Sequence, residues 1–169
     1  MEPSDRVPPF ELPFTDWKPE YLYSLGELSP FFHEVVKNRR LTATRCPSCR
    51  KVWMPPRGDC PDCYTTTELI PISGEGTVMS CSYCYFMGSG IDLIGYLDLP
   101  YVFALIHLDG TDTYMFHGIK PASQKMGEVR TGSRVKVVFR EERRGTIGDF
   151  YFIPAAQTEH AEQEGDAAR

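Results

Sequence analysis

The chain has 169 residues, of which 41% are hydrophobic, and this is enough for one ordinary domain or two small ones with a modest core. Its formal net charge of −5 argues against a protein that coats nucleic acid non-specifically, because that mode of binding depends on Lys and Arg side chains that neutralise phosphates. No stretch approaches the roughly 20 apolar residues of a membrane span, and the start of the chain lacks the apolar core of a signal peptide, so we expect a cytoplasmic protein.

Residues 1–40 are expected to form an extended arm and a short helix. The arm is rich in proline and aromatic residues with little periodicity, and because such side chains rarely stay in water, it is a candidate interface. Ser29 and Pro30 fit an N-cap and a first helical position, and His33 is expected to be an ordinary surface or half-buried histidine. The apolar stripe of the predicted helix consists of Phe31, Phe32, Val35 and Val36.

Residues 41–72 contain two Cys-x-x-Cys pairs separated by ten residues, namely Cys46, Cys49, Cys60 and Cys63. Each pair places two thiolates about one tight turn apart, and two such turns facing each other form a tetrahedral sulfur cage of the kind that binds Zn²⁺. Such a site is structural and closed, because protein fills all four coordination positions. A reducing compartment favours a metal over disulfides here, and iron is the main alternative because tetrahedral sulfur suits it as well. A redox pair is disfavoured because no βαβ pattern surrounds the cysteines.

Short strands are predicted beside each cysteine turn, at Leu41–Arg45 and Lys51–Met54. Glycine often follows the second cysteine of such a turn, where the backbone favours a positive φ, but this chain has Arg50 and Tyr64 at those positions. Either the turn differs here or some strain is tolerated.

Residues 73–154 follow a glycine-rich boundary and predict a mainly β fold, a small closed five-stranded Greek-key barrel of the OB type. An immunoglobulin-like sandwich would need more strands. The connector Lys120–Gly132 is a candidate for a helical turn, and the tail 155–169 is expected to be flexible. The predicted strands are Thr77–Phe86, Tyr101–Leu108, Thr113–Gly118, Arg134–Arg140 and Asp149–Ile153, with a hairpin from Arg144 to Gly148 between the last two.

Other reactive side chains offer no convincing catalytic set. Cys81 and Cys84 form a third Cys-x-x-Cys pair, but residues three apart on a strand point to opposite faces, so we expect buried free thiols. His107 and His117 end two neighbouring predicted strands and could meet, and an ordinary pair at the barrel rim is the favoured interpretation. Covalent catalysis by a cysteine needs bases that move protons as well, which these residues do not supply at recognisable spacing.

A succession of short motifs runs from residue 30 to residue 154. The motifs are Pro30-Phe31-Phe32, Arg39-Arg40-Leu41, Arg45-Cys46-Pro47-Ser48-Cys49, Met54-Pro55-Pro56-Arg57, Cys60-Pro61-Asp62-Cys63, Gly74-Glu75-Gly76-Thr77-Val78, Pro100-Tyr101-Val102-Phe103-Ala104-Leu105 and Gly132-Ser133-Arg134-Val135-Lys136-Val137. Their order and spacing resemble a family of acyl-CoA-associated proteins in which a rubredoxin-like zinc ribbon is followed by an OB fold. The resemblance implies a non-catalytic subunit that binds a thiolase-fold enzyme in a hetero-oligomer and helps to position CoA thioesters. The aromatic arm and the loop around Gly88 and Gly90 would suit such docking.

A CoA thioester carries a 3′-phosphate and a diphosphate, so a surface that binds it should present Arg or Lys. The basic residues around the cysteines are the candidates, namely Arg45, Arg50, Lys51 and Arg57. The alternative interpretation of this cluster is an ordinary solvated surface.

A second function class is binding of single-stranded nucleic acid, because ribbons and OB folds both serve that purpose. Tyr83, Tyr85 and Tyr114 could stack on bases. The acidic net charge and the lack of a basic stripe along the predicted barrel disfavour this class. A hydrolase or redox enzyme that acts alone is less favoured still, because the sequence contains no nucleophile and base at a spacing typical of an active site.

Overall fold

The computed structural model describes residues 24–86, 97–123 and 125–157. The arm before residue 24, the loop around Gly88 and the tail beyond residue 157 lie outside the described residues. The fold is mainly β, as predicted. The described residues form one α-helix, α1 (Ser29–His33), between a 3₁₀ turn and a π-helical turn, and eight strands: β1 (Thr42–Arg45), β2 (Val52–Trp53), β3 (Glu68–Pro71), β4 (Glu75–Cys84), β5 (Tyr101–Leu108), β6 (Tyr114–Ile119), β7 (Arg134–Phe139) and β8 (Phe150–Pro154). In these described ranges, no helix is long and apolar enough to cross a membrane.

The helical segment packs against the barrel core through Phe31 and Val35. Its N-cap is Leu28 rather than the predicted Ser29, because the 3₁₀ turn Gly26–Leu28 already sets helical backbone angles there. Phe31 is buried and lies edge-on to the Phe150 ring at 6.2 Å between centroids, so the apolar stripe packs on the barrel core as its spacing predicted. The segment ends at Arg39, whose φ of 47° reverses the chain into the ribbon.

The cysteine turns sit on a three-stranded antiparallel sheet in the order β2-β1-β3. The pairs Thr44 with Trp53 and Ala43 with Ile70 set its register. The sequence predicted the first two strands and missed β3, because Glu68–Pro71 is short and ends in proline, which signals a turn as readily as an edge strand.

Strands β4 to β8 close into a barrel in the order β4-β5-β6-β8-β7. The parallel contact between Ile119 and Phe152 joins β6 to β8, and the remaining pairs are antiparallel, which is the OB arrangement that the sequence predicted. Alternate β5 residues point inward and are buried, namely Val102, Ala104, Ile106 and Leu108.

The connector between β6 and β7 contains no helix in its described residues, so the suggested helical turn at Lys120–Gly132 is wrong. The Glu128 carboxylate accepts hydrogen bonds from the backbone N–H groups of Ala122 and Ser123 and holds the loop in a compact turn instead. Gly127 has a φ of 87°, which a right-handed helix does not accommodate.

Candidate functional site: a four-cysteine metal centre

The Sγ atoms of Cys46, Cys49, Cys60 and Cys63 form a group that could hold a metal ion, and all four lie within 4.8 Å of one another. The Cys49 and Cys60 sulfurs are 3.8 Å apart. Four sulfurs at about 2.3 Å from a tetrahedral ion are separated by about 3.8 Å, so the cluster fits a metal of that geometry. Because the four thiolates complete the coordination shell, the group suits a structural metal.

The two cysteine turns, which we call the first knuckle (Cys46–Lys51) and the second knuckle (Cys60–Thr65), repeat the same backbone pattern. In each, the carbonyl of the first cysteine accepts a hydrogen bond from the residue four positions later, and its N–H donates to the carbonyl five positions later. The four donor and acceptor pairs, at 2.8 to 3.0 Å, are Arg50 to Cys46, Cys46 to Lys51, Tyr64 to Cys60 and Cys60 to Thr65. The bonds are local to each turn, so each knuckle is specified by its own sequence.

Both knuckles keep the left-handed conformation at the position where glycine is favoured. Arg50 has a φ of 65° and Tyr64 a φ of 54°. This conformation costs an L-residue about 1–2 kcal/mol because its Cβ approaches a carbonyl oxygen. Of the two possibilities left open by the sequence, the turn is therefore retained and the strain is tolerated.

The sulfur cluster is electrostatically suited to a cation. The backbone N–H of Cys49 points at the Cys46 sulfur and lowers the pKa of that thiol to about 7. The neighbouring Cys49 sulfur raises the pKa of Cys63 to about 12, because adjacent sulfurs resist a second and third negative charge. A dication bound among the four sulfurs would remove this opposition and hold them as thiolates.

Trp53 organises the basic residues beside the metal centre, a role that the sequence analysis missed. Its ring is buried and packs against Cys46 and Cys60. The Lys51 Nζ atom lies 4.4 Å from the ring centroid and the Arg57 Cζ atom 5.4 Å from it. A strand aromatic two residues after Lys51 was the available signal, since alternate residues share a face.

The four predicted CoA-contacting residues therefore fall into two groups. Lys51 pairs with Asp62 at 3.1 Å and, with Arg57, lies over Trp53. Arg45 and Arg50 are exposed and have no ion-pair partner among the described residues. A surface hollow of about 390 Å³ beside Arg50 is lined by Cys49, Arg50, Lys51, Asp62 and Asp112, so two carboxylates share it with two cations.

The ribbon carries opposite charges on its two knuckles. The first knuckle and the residue before it contribute Arg45, Arg50 and Lys51 without an acidic residue, whereas residues 58–68 contribute Asp59, Asp62 and Glu68 without a basic one. In space the two sets meet, because Lys51 pairs with Asp62 and Arg45 lies opposite Glu68 in the β1–β3 ladder.

His107 and His117 do not meet. His107 is opposite Tyr114 in the β5–β6 ladder and His117 is opposite Ala104, so two residue pairs lie between them. His107 lies at the rim, but His117 is in the barrel core rather than at the rim as expected, because the register of β6 points it inward.

The His117 ring is fully satisfied as a neutral imidazole. Its Nδ1 accepts a hydrogen bond from the Gly118 N–H at 2.8 Å, and its Nε2 donates to the Ile147 carbonyl at 3.0 Å. The ring stacks on Phe150 with 4.4 Å between centroids. Burial lowers its pKa, so the residue stays uncharged at neutral pH.

Cys81 and Cys84 are free thiols on opposite faces of β4. The Cys81 sulfur points inward and lies 3.7 Å from the Val129 carbonyl, and burial raises the pKa of this thiol. Cys84 packs against the separate cluster of Leu97 and Tyr101. Both thiols are half-buried rather than fully buried, and their separation leaves the third Cys-x-x-Cys pair unable to chelate one ion.

The outer face of β5 and β6 exposes aromatic rings. Phe103 and Phe116 stack with 5.6 Å between centroids, and Phe116 is 62% exposed. Tyr114 is half-exposed on the same face. On β4, Ser82 is opposite Phe103 and Ser80 is opposite Leu105, so neither β4 residue beside the stacked pair is a cation.

The other two tyrosines proposed for base stacking are placed differently. The Tyr83 hydroxyl accepts a hydrogen bond from the Val129 N–H at 3.0 Å, which turns this ring toward the connector. Tyr85 is half-exposed and stacks on Tyr83. The three tyrosines therefore do not form one platform.

Comparison with known proteins gives the same architecture. Residues 33–68 match the family described as "ChsH2, rubredoxin-like zinc ribbon domain". A solved structure described as the "Ltp2-ChsH2(DUF35) aldolase" is 22% identical, covers 79% of this chain and 99% of that chain, and has a TM-score of 0.58. A DUF35-family protein of unknown function from Sulfolobus solfataricus is 19% identical, covers 77% of this chain and 85% of that chain, and has a TM-score of 0.55. The chain thus has the fold of these DUF35 structures, with a segment that is similar to the ChsH2 zinc ribbon.

Proposed function

We propose that the chain is a non-catalytic, zinc-containing subunit of an enzyme complex that acts on acyl-CoA thioesters. In this proposal a thiolase-fold partner carries the catalytic residues, and the present chain supports assembly and helps to position the CoA substrate. The hetero-oligomer works in the cytoplasm, where free thiols persist for metal binding.

The observation that carries the proposal is the way the described residues use their reactive side chains. Four cysteines form the closed sulfur cluster, His117 is locked in the core, and Cys81 and Cys84 are held apart. The Nε2 atoms of His107 and His117 contact backbone carbonyls rather than a nucleophile. The hydroxyl groups that contact a carboxylate lie in turns and bridges and are those of Ser123 with Glu128, Thr66 with Asp59 and Thr146 with Asp149. A chain built in this way suits a helper role better than an independent catalytic one.

The named structural neighbour supports a two-component arrangement. That protein is described as an aldolase formed by Ltp2 and ChsH2(DUF35). By analogy of fold, the present chain would bind a separate catalytic subunit. We further propose, from the sequence resemblance, that this chain is the small subunit of a thiolase such as benzoylsuccinyl-CoA thiolase, which acts in aromatic degradation.

The metal in this proposal is Zn²⁺, because the four-sulfur cluster has the distances and closed coordination of a structural zinc site. Zinc when bound supplies shape and thiolate stabilisation. The residues that would hold it are the four cysteines of the two knuckles.

We also propose that the basic residues of the ribbon, Arg45, Arg50, Lys51 and Arg57, contact the phosphates of CoA. Arg45 and Arg50 are the stronger members, because Lys51 is already paired with Asp62. Reversing both charges at Arg45 and Arg50 to Glu should raise the Kd of the assembled complex for CoA at least tenfold. An unchanged Kd would remove these residues from the CoA site.

Affinity purification of the chain from its native cells, followed by native mass measurement, tests the helper role. We expect a stoichiometric partner that is inactive alone and active when recombined with this chain. Two assays then separate the chemistries: thiolysis consumes free CoA, whereas an aldolase cleaves a carbon–carbon bond without consuming it. A chain that purifies alone, with no protein that it activates, would refute the proposal.

The exposed pair Phe103 and Phe116 favours a second candidate, a module that binds single-stranded nucleic acid by stacking. The rings lack neighbouring cations on β4, so the salt-dependent phosphate contacts of such modules are missing there. Salt-sensitive binding of single-stranded oligonucleotides that is lost in Phe116→Ala would establish this alternative.

A further inference from the structure

The metal centre shields its four sulfur ligands unequally. Cys46 and Cys60 are fully buried and form one apolar cluster with Trp53. Cys63 is half-buried and packs against the same cluster, whereas Cys49 is exposed. The two knuckles share one backbone pattern, so burial rather than turn geometry distinguishes Cys49 from its counterpart Cys63.

Cys49 also faces open space. It lines the surface hollow of about 390 Å³ together with Arg50, Lys51, Asp62 and Asp112. Cations and carboxylates are both present in this lining, so the hollow selects no ligand by charge. An uncharged reagent little larger than water can enter it and reach the cysteine.

A second sulfur lies beside Cys49. The Cys60 Sγ atom is 3.8 Å from the Cys49 Sγ atom, so a small movement of the two side chains would bring them to the disulfide bonding distance of about 2.05 Å. A bound metal holds both sulfurs as thiolates, which is the form of cysteine that reacts with oxidants. The cluster thus combines an accessible thiolate with a buried one that can resolve its oxidation.

We propose that Cys49 is the site at which hydroperoxides modify the chain and release its metal. The Cys49 thiolate attacks a peroxide oxygen, an S–O bond forms as the O–O bond breaks, and hydroxide leaves, so the sulfur is oxidised to a sulfenic acid. The Cys60 thiolate then attacks this sulfur, the S–O bond breaks, a second hydroxide leaves, and a disulfide forms. One peroxide therefore removes two thiolates, and the two that remain do not complete a closed tetrahedral site. This reactivity belongs to the metal centre and depends neither on the partner subunit nor on CoA.

The two thiols outside the cluster are less suited to this reaction. The Cys81 sulfur points inward, 3.7 Å from the Val129 carbonyl, and Cys84 packs against Leu97 and Tyr101. Burial raises the pKa of Cys81, which keeps this side chain in the less reactive thiol form. Replacing both by serine leaves the four metal ligands unchanged and gives a chain whose only cysteines are those of the cluster.

The experiment exposes this full-length Cys81→Ser, Cys84→Ser chain, loaded with metal, to hydrogen peroxide. A coloured chelator follows metal release, and mass spectrometry identifies the oxidised cysteines at successive times. We expect Cys49 to be oxidised first, one metal to be released per chain, and a disulfide between Cys49 and Cys60 that a dithiol reductant reverses.

Two further variants in the same background test the role of Cys49. Cys49→His should keep the metal, because imidazole is also a ligand, and should release it to peroxide at least tenfold more slowly. Cys63→His is the matched control, since it makes the same exchange on the second knuckle and leaves Cys49 and Cys60 in place. Its release rate should stay within about threefold of the parent chain.

The outcomes separate this reactivity from the proposed function. If the parent chain binds no metal, the metal centre and its reactivity both fail, whereas failure to find a partner subunit affects the proposed function alone. The role of Cys49 is overturned if peroxide does not release the metal, if another cysteine is oxidised first, or if both histidine variants release the metal at the same rate. Should Cys49→His bind no metal, the order of oxidation in the parent chain still decides.

Discussion

Val52 and Asp112, sixty positions apart in the chain, bind each other through two hydrogen bonds that join the ribbon to the barrel. The Val52 N–H donates to the Asp112 Oδ2 at 2.8 Å, and the Asp112 N–H donates to the Val52 carbonyl at 2.9 Å. Thr113 extends the contact, because its Oγ1 accepts from the Met54 N–H at 2.7 Å and donates to the Met54 carbonyl at 2.8 Å. The β5–β6 turn therefore closes the free edge of β2, next to the metal centre.

Asp112→Ala should lower the free energy of unfolding by about 1–3 kcal/mol, because the Val52 N–H loses its acceptor. Asp112→Asn keeps a side-chain oxygen at the same position and should recover most of the loss. Urea unfolding of the metal-loaded protein measures both variants. If Asp112→Ala is as stable as wild type, the contact does not contribute to the coupling between ribbon and barrel.

Removal of the metal should unfold the ribbon, since the binding free energy of a structural site is coupled to folding. We expect one tetrahedral metal per chain by elemental analysis, and a loss of both metal and thermal stability in Cys46→Ser. Cys81→Ser is the control, because Cys81 lies outside the cluster and should retain the metal. A chelated chain that stays folded and partner-bound would contradict a structural metal, and visible absorption by the bound thiolates would identify iron.

His117 makes stability depend on pH. Its folded-state pKa lies below its unfolded value of about 6.5 because burial disfavours the charged ring. The unfolded chain therefore binds a proton that the native chain does not, so stability is complete above about pH 6.5 and falls as pH decreases below it. The slope should reach about 1.4 kcal/mol per pH unit.

His117→Gln isolates this contribution, because an amide can still donate and accept while it does not titrate. Urea unfolding at several pH values between 5 and 8 should show a shallower loss of stability for the variant. The thiolates of the metal centre titrate in both proteins and cancel in the difference. Parallel curves for the two proteins would show that His117 is not the cause.

Arg50→Gly should stabilise the metal-loaded ribbon by up to about 1 kcal/mol, because glycine accommodates the φ of 65° without a Cβ clash. The gain is limited by the greater freedom of glycine in the unfolded chain. Arg50→Ala is the comparison, since it removes the same charge but keeps the strain. Equal stabilities for the two variants in denaturant titrations would show that the left-handed position carries no measurable strain.

The metal centre could be predicted from the sequence because its geometry is local. The knuckle hydrogen bonds join residues four and five positions apart, so two Cys-x-x-Cys pairs specify both turns without reference to the rest of the chain. The barrel could be predicted for a related reason, because each strand has its own local signal. These signals are the alternation of apolar residues, as in β5 and β6, and the turn residues between strands. The sequence by itself thus determined the two knuckles with their four sulfurs and the five barrel strands, but not β3 of the ribbon.

The tertiary structure alone decided how these pieces meet. The placement of His117 in the core depends on the register of β6, and one residue of slippage would have turned it outward. The neutralisation of Lys51 by Asp62 and the closing of the β2 edge by Asp112 both join segments that no sequence spacing relates. Long-range contacts of this kind depend on the packing of the whole chain. The free energy that selects them comes from burial and hydrogen bonding between distant segments, and local backbone preference does not supply it.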